Sequence, residues 1–423
     1  MAVALELALN NTTEPSGRYV GWAPAPASLR VLDPDGSETP IAVRLDSPGS
    51  AGRVVFAAER NAEAADQLSL ELPVDGGPVD FWVLGRFQSP SRADGDARIT
   101  VRPATGNVAM LTVPLMVRVR KDAQTLTFAE RNRFLSALAR LNERGAYQTY
   151  RDMHLDATTD EAHGLDGFLP WHRAYLLDLE RELQAIDASV TVPYWRFDQP
   201  APRVFSQSFM GRTDTAAGSV RFNPSNPLNL FGTDGQIGVV RRPAFDTQLE
   251  PAGNFLGTVV GEELVVRFSQ PYARLRPPLE NNPHGRAHTS FDVGFIREIG
   301  NAVRDPLFFL LHGNVDRLWA KWQWFNSHFD LASQDTYFFQ ASADAAGATR
   351  IGHNALDTMW PWNDVRISPR PSTAPRTPFP VSPLFAAPGP NPTIGALIDY
   401  QGVVTASDQL GYDYDDVPFE SLP

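Results

Sequence analysis

Six of the eight histidines in this 423-residue chain fall into two groups of three. In the later group, His284 and His288 stand four residues apart, so on one helix their imidazoles would leave the same face, about 40° apart around the axis. His312 follows in a segment where Asp305 suits a helix N-cap and Pro306 the first helical position. These three histidines, the second triple, are candidates for one metal site.

The earlier group recurs at intervals of nine residues as His154, His163 and His172, the first triple. Pro170 marks a helix start, which places His172 in the first turn. Leucines follow His172 at positions +4, +7 and +11, so this histidine continues an apolar stripe that faces the core. We expect these three imidazoles to form a second metal site.

The composition limits both the chemistry and the partners of the chain. Lys plus Arg number 37 against 49 Asp plus Glu, a net charge of −12, which argues against an extended nucleic-acid footprint. The absence of cysteine excludes disulfides, thiolate nucleophiles and Cys-ligated zinc or iron–sulfur sites. Any bound metal must therefore use imidazole and carboxylate, and neutral imidazole suits copper, zinc, iron and nickel.

Neither a secretory signal nor a membrane span is evident in the sequence. The N-terminus lacks a basic region followed by a long apolar run, and no stretch approaches the roughly 18 apolar residues of a membrane helix. We expect a cytoplasmic protein that does not contact a membrane. A processed exported form would look the same.

Residues 1–118 have the pattern of β-structure. Short alternating segments such as Leu5–Leu9 and Leu68–Leu72 are separated by turn signals such as Asp33–Gly36. Several strands at such spacing predict a β-sandwich-like accessory domain, and it contains no histidine. A scaffold, a lid and an oligomerisation module are the roles considered for it, and the oligomeric state stays open.

The pattern changes near residue 119. Thr127 and Glu130 form a capping box that predicts a helix start. We therefore predict that residues 119–423 form a mainly α-helical metal-binding domain with a central helix bundle and a Pro-rich C-terminal wrap. Together with the N-terminal β-structure, this makes the chain an α+β multidomain protein. The predicted helices include roughly residues 128–144, 171–186, 284–300 and 306–326.

Several segments around the histidines form one recognisable series. They are Phe168-Leu-Pro-Trp-His172-Arg, Val192-Pro-Tyr-Trp195, Pro283-His284-Gly-Arg-Ala-His288, the run from Asp305 to Trp319, and Tyr412-Asp-Tyr414. In this order they resemble the type-3 copper family of tyrosinases, catechol oxidases and haemocyanins, over roughly residues 115–416. The resemblance implies a type-3 copper domain that holds two copper ions per chain.

The resemblance also implies which residues hold the copper. The first triple would bind one ion and the second triple the other. Asp316, four residues after His312, would lie on the same helical face and orient a histidine or an arginine. At the domain boundary, Arg118 or Arg120 is expected to pair with an acidic group in the core.

Members of this family use dioxygen to oxidise o-diphenols (catechols) to o-quinones. In members that also hydroxylate monophenols, a water is attributed to a glutamate upstream of the second triple and an asparagine just after its first histidine. Glu280 matches the glutamate, whereas Gly285 occupies the asparagine position and has no side chain to polarise a water. We therefore expect a catechol oxidase, or polyphenol oxidase, with monophenol hydroxylation weak or absent.

Other interpretations stay open. A tyrosinase with monophenolase activity or an o-aminophenol oxidase would use the same geometry. A haemocyanin-like oxygen carrier would use the same six ligands but hide them from phenolic molecules. A copper-delivery partner is also left open, and the two remaining histidines, His328 and His353, are expected to be surface or loop residues.

Overall fold

The chain folds into N-terminal sheets followed by a helical core, described by a computed structural model. The described residues are 3–49, 51–156, 161–213, 216–268, 271–337, 352–366, 373–376 and 378–420. Parts of the predicted Pro-rich wrap, residues 367–372 and 377, lie outside these ranges. Within them, no helix has the length and apolar character needed to cross a lipid bilayer.

Two sheets occupy the N-terminal part of the chain. One has four strands in the order β1-β3-β7-β5, and the other has five in the order β2-β9-β8-β4-β6. Neighbouring strands are antiparallel except β2 and β9. The strands are β1 Ala4–Leu9, β2 Tyr19–Val20, β3 Ala25–Asp33, β4 Ile41–Asp46, β5 Val54–Ala57, β6 Gln67–Leu72, β7 Val79–Gly85, β8 Ala97–Pro103 and β9 Leu111–Val117.

The alternation of side chains explains how these sheets bury one face. Leu5, Leu7 and Leu9 of β1 are buried, whereas the residues between them are not. Val43 and Leu45 of β4 show the same alternation in the other sheet. Buried residues of both sheets belong to one apolar cluster. The two strands predicted at residues 5–9 and 68–72 are confirmed.

Helices dominate the part of the chain that follows. Within the described residues they are α1 Phe128–Glu143, α2 Ala146–Asp156, α3 Phe168–Ile186, α4 Glu262–Val266, α5 Tyr272–Leu279, α6 Arg286–Thr289 and α7 Leu307–Asn326, with an irregular π-type turn at Glu280–Gly285. Helix α1 packs against α2 and α3, and α3 packs against α7. Six short strands lie in the connections: β10 Arg212–Thr213, β11 Val220–Arg221, β12 Gly232–Thr233, β13 Gln236–Ile237, β14 Arg241–Pro243 and β15 Phe291–Gly294.

Local side chains fix the starts of the helices that matter most. The hydroxyl of Thr127 accepts from the N–H of Glu130 at 3.2 Å, and the Glu130 carboxylate accepts from the N–H of Thr127 at 2.8 Å. The predicted capping box at the start of α1 is therefore confirmed. The Asp305 carboxylate accepts from the N–H of Leu307 at 3.0 Å, and α7 begins at that residue.

One helix prediction needs correction, and one helix was not predicted. The helix expected over residues 284–300 ends at Thr289, because the following segment pairs as β15 with β14. Gly294 has a φ of 132°, a value that no α-helix contains. Helix α2 has no counterpart in the prediction, because Tyr147 and Tyr150 form much of its buried face and polar residues surround them.

A buried charge network joins α3 to α7. Asp316 on α7 accepts from Arg173 Nε on α3 at 2.6 Å and from Arg120 Nη1 at 3.1 Å. Arg120 also donates to Glu180 of α3 at 2.9 Å, and the Tyr414 hydroxyl donates to Asp316 at 2.7 Å. Because removal of one member leaves the others charged and uncompensated, this network holds the two helices in one register.

The N-terminal sheets dock on the C-terminal segment. Trp22 Nε1 donates to the carbonyl of Tyr414 at 2.7 Å, and the backbone N–H of Trp22 donates to the Asp413 carboxylate at 2.7 Å. Gly21 permits this approach, because a Cβ there would lie 2.0 Å from the Asp413 carboxylate. Gln401 donates to the other oxygen of Asp413 at 2.6 Å. The interface is thus built around one buried carboxylate.

Asp413 should make the stability of the protein depend on pH. Burial raises its pKa from 3.8 to about 6, so the folded protein binds this proton more readily than the unfolded chain. The resulting stabilisation, about 3 kcal/mol at most, is complete below about pH 4 and is lost as the pH rises through about 6. We expect Asp413→Asn, which cannot titrate, to gain stability relative to the wild type over this window in urea unfolding. A difference that stays constant with pH would contradict this assignment.

Candidate metal centre

The first triple comes from consecutive segments of the chain. His154 lies near the end of α2, His163 lies in the loop that follows, and His172 lies near the start of α3. One ring nitrogen of each histidine lies within 4.8 Å of the corresponding nitrogen of the other two. His154 and His172 are buried, whereas His163 is partly exposed.

The second triple is assembled from three elements. His284 lies in the π-type turn, His288 on α6 and His312 on α7. The Nε2 atom of His312 lies 3.3 Å from Nε2 of His284 and 3.4 Å from Nε2 of His288. The three Nε2 atoms therefore converge on one point, as the spacing of these histidines predicts.

The two triples face each other. The rings of His172 and His312 stack with their centroids 4.1 Å apart and their planes 12° apart. The rings of His163 and His284 are 6.5 Å apart and also stacked. The structure thus brings together all six histidines that the sequence singled out.

Backbone carbonyls orient three of the rings. In each case Nδ1–H donates to a carbonyl of the nearby chain, which directs the lone pair of Nε2 toward the centre of its triple. The pairs are His172 with Phe168 O at 2.8 Å, His284 with Glu280 O at 2.8 Å, and His288 with Ile296 O at 2.6 Å.

Burial keeps these imidazoles neutral. It lowers the pKa of His288 to about 4. Burial, reinforced by the neighbouring rings, holds the pKa of His154, His172, His284 and His312 well below the usual value of 6.5. A neutral imidazole has one free nitrogen lone pair, which is the form that binds a metal ion.

The nitrogens of the two triples fit metal ions. Both nitrogens of His154, Nε2 of His172 and Nδ1 of His312 are buried and find no hydrogen-bond partner among the described residues. An unsatisfied buried polar atom costs about 1–3 kcal/mol of stability, so a cluster of such nitrogens requires a physical explanation. Two ions held by neutral nitrogen ligands would engage lone pairs in both triples, and imidazole suits copper.

Two phenylalanines flank the triples and were not singled out from the sequence. The ring of Phe308 stacks on His312 at 4.2 Å and meets His154 at 4.7 Å. The ring of Phe168 lies 4.9 Å from both His172 and His284. Each phenylalanine stands four residues before a histidine of the same helix, and this i, i+4 relation is the signal that could have identified it.

Glu280 connects the two triples. One carboxylate oxygen accepts from the N–H of Gly164, the residue after His163, at 2.6 Å. The other accepts from Arg276 at 2.8 Å, and the backbone carbonyl of Glu280 accepts from His284. Both side-chain oxygens are therefore engaged with the protein.

Further contacts hold the loop that carries His163. The N–H of Gly167 donates to Nδ1 of His353 at 3.2 Å, and the N–H of Trp360 donates to Glu161 at 2.9 Å. His353 and His328 lie in loops, as expected, but both are buried rather than at the surface. The buried position of His353 follows from its contact with this loop, which no local sequence signal could reveal.

A cavity of about 400 Å³ opens beside the triples. It is lined by His154, His163, Pro277, Glu280, Asn281, His284, Gly285, His288, Thr289, Arg297, Ile299 and Ala302. None of these lining residues comes from the N-terminal sheets. Phenol-sized molecules have room to reach the histidines.

Asp316 contacts arginines rather than histidines. Its carboxylate oxygens accept from Arg173 and Arg120, as described above, and it is only 2% exposed. Of the two boundary arginines considered in the sequence, Arg120 has the acidic partners, Asp316 and Glu180. Asp316 therefore acts on the site through the packing of α3 against α7.

Known proteins resemble this chain in its central part. Residues 144–325 match the family model described as the common central domain of tyrosinase. A tyrosinase of Streptomyces glaucescens is 32% identical over 273 residues, which cover 58% of this chain and 93% of that protein. A tyrosinase of Streptomyces antibioticus is 31% identical over 271 residues, which cover 58% and 93%.

Among solved structures, a functional unit of octopus hemocyanin matches with a TM-score of 0.45 and 19% identity, covering 72% of this chain and 69% of that one. The match to the Streptomyces glaucescens protein extends over nearly the whole of that protein, and the match to the family model spans both triples. This chain therefore belongs to the tyrosinase family of type-3 copper proteins, whose two copper ions its two histidine triples fit.

Proposed function

We propose that this protein is a catechol oxidase, which uses dioxygen to convert o-diphenols to o-quinones and hydroxylates monophenols weakly or not at all. The observation that supports it most directly is the convergence of six imidazoles beside an accessible cavity. We assign the first triple to one copper ion and the second triple to the other. Two diphenols would be oxidised for each dioxygen reduced to water.

When bound, the copper ions would supply the redox chemistry that passes electrons from the diphenol to dioxygen. The protein supplies position and environment. Pro277, Ile299 and Ala302 offer apolar surface to the aromatic ring of the diphenol, and its hydroxyl groups would face the histidines. Phe168 and Phe308 exclude water from the far side of the triples.

Weak monophenol hydroxylation is supported by two features of the cavity. Gly285 has no side chain that could polarise a water molecule. Both carboxylate oxygens of Glu280 already accept a hydrogen bond, one from Gly164 and one from Arg276, which leaves fewer lone pairs to hold a water molecule. We therefore assign Glu280 a positioning role, in which it ties the His163 loop to the segment that carries His284.

The second candidate is a tyrosinase with monophenolase activity, which is favoured by the names of the relatives that match. An o-aminophenol oxidase remains a further candidate of the same geometry. Haemocyanin-like oxygen binding is less well supported, because the cavity beside the histidines has room for a phenolic ring. Delivery of copper by a separate partner is a proposal that awaits a test.

We also propose that residues 1–118 form a β-sandwich-like accessory domain and residues 119–423 the dicopper domain. The shared apolar cluster of the two N-terminal sheets supports the first part. The contacts of Trp22 with Asp413 and Tyr414 support a structural role for the accessory domain, away from the cavity.

The test of the proposed function is a substrate profile of the copper-loaded protein. Metal analysis should give two copper ions per chain, and ethylcatechol should consume one dioxygen for every two quinones formed. Turnover of ethylphenol at a comparable rate would identify a tyrosinase instead, and faster turnover of o-aminophenol would identify an aminophenol oxidase. Reversible oxygen binding without any turnover would point to a carrier.

Gly285→Asn should raise monophenol turnover relative to diphenol turnover by roughly tenfold or more, because its amide could polarise a water molecule. The position accepts a side chain: φ is −59°, and a Cβ would meet only the carbonyl of Glu280, at 3.3 Å. Gly285→Ala adds the Cβ without the amide and is the matched control. An unchanged ratio in the Asn variant would count against the role assigned to this position.

Glu280→Ala should speed the loss of copper to a chelator by roughly 10–100-fold, the range for groups that orient metal ligands. Glu280→Gln keeps an acceptor for Gly164 and should show a smaller effect. Asp46→Asn breaks a similarly shielded ion pair, with Arg102, far from the site and should change nothing. Normal copper retention combined with altered monophenol turnover would show that Glu280 holds water instead.

A further inference from the structure

The cavity beside the triples contains an unbalanced charge. Apart from the histidines, Glu280 and Arg297 are its ionisable lining residues. The Glu280 carboxylate is matched by Arg276, with which it forms an ion pair at 2.8 Å. Arg297 has no such match, because no carboxylate of the described residues lies within 4 Å of its guanidinium. Among the described residues, the cavity wall therefore carries one positive charge that no carboxylate pairs with.

Backbone carbonyls hold the Arg297 side chain in place. Its Nη1 donates to the carbonyl of Phe291 at 2.8 Å and to that of Thr289 at 3.3 Å. Thr289 directly follows His288, so the guanidinium is fixed beside a ligand of the second triple. Its other N–H groups make no hydrogen bond within the part of the chain that the structure describes, which leaves them free to bind a ligand.

A carboxylate is the group that suits this position. An arginine stays charged at every physiological pH, and its planar fork of N–H donors matches the two oxygens of a carboxylate. An ammonium group would be repelled there. The protein as a whole is acidic, with a net charge of −12, so this local cation is what would admit an anionic molecule.

We propose that Arg297 forms a carboxylate subsite, and that the preferred substrates are catechols with an anionic side chain. This inference rests on the proposed function, because it assumes that the catechol hydroxyls face the histidines. The subsite acts on binding equally in the ground and transition states, so it changes KM and leaves kcat unaltered.

Three catechols that share a two-carbon unit on the ring test the proposal: dihydrocaffeate bears a carboxylate on it and is anionic, ethylcatechol is neutral, and dopamine bears an ammonium group and is cationic. With the wild type, KM should be lowest for dihydrocaffeate and highest for dopamine. Arg297→Gln should raise KM for dihydrocaffeate by roughly tenfold and change that for ethylcatechol by less than about twofold. Arg297→Lys keeps the charge and should retain part of the preference. Equal changes for dihydrocaffeate and ethylcatechol would overturn the proposal.

Arg274→Gln is the matched control, because it removes one exposed positive charge that does not line the cavity. It should leave the preference unchanged. If Arg274→Gln weakened the preference for dihydrocaffeate as much as Arg297→Gln, the overall charge of the protein, not a subsite, would select the substrate. If Arg297→Gln does not fold, the wild type alone decides: its preference for dihydrocaffeate over ethylcatechol should shrink as salt is raised, and a salt-independent ratio would overturn the proposal.

A binding measurement separates this inference from the proposed function. Calorimetry on the copper-loaded protein, reduced and free of oxygen, reports the Kd of each catechol without turnover. Dihydrocaffeate should bind roughly tenfold more tightly than ethylcatechol to the wild type and no more tightly to Arg297→Gln. Failure of every catechol to turn over would remove the proposed oxidase activity, while this ratio would still decide the role of Arg297.

Discussion

The structure depends on one constraint, which is that six imidazoles, most of them buried, must lie close together with their lone pairs pointing inward. Burial removes the protons and leaves neutral nitrogens only 3.3–3.4 Å apart in the second triple. Such a cluster is costly in an empty apolar interior, because few of its nitrogens can find hydrogen-bond partners. The fold tolerates it because carbonyls orient the rings of His172, His284 and His288 from outside.

The helices that carry His172 and His312 are held together by charges rather than by apolar contacts alone. Asp316 accepts from Arg173 and Arg120, and Glu180 neutralises the second of these arginines. Buried ion pairs add little net stability when compared with apolar residues of the same size, yet they strongly penalise any shift that separates them. They therefore fix the distance between the two triples, which packing of leucines would leave less strictly defined.

Sequence patterns identified what local chemistry encodes: the six histidines, the capping box of α1 and the carboxylate that caps α7. They did not predict the features that depend on contacts between segments far apart in the sequence. The helix expected after His288 stops because the chain pairs with β14, more than forty residues upstream. The carboxylate of Glu280 matched a family position, but its contacts with Gly164 and Arg276 depend on how the loop and α5 meet in space. Helix α2 was not predicted from the sequence because tyrosines form its apolar face.

The loop around His163 has a consequence for the order in which the protein is made. Its hydrogen bonds reach partners 116, 186 and 199 residues further along the chain, at Glu280, His353 and Trp360. When the first triple has just emerged from the ribosome, the nascent chain contains these three histidines. It does not yet contain the residues whose hydrogen bonds hold the His163 loop in place. Because such long-range contacts form late, the complete copper site can exist only after the chain has been synthesised beyond Trp360.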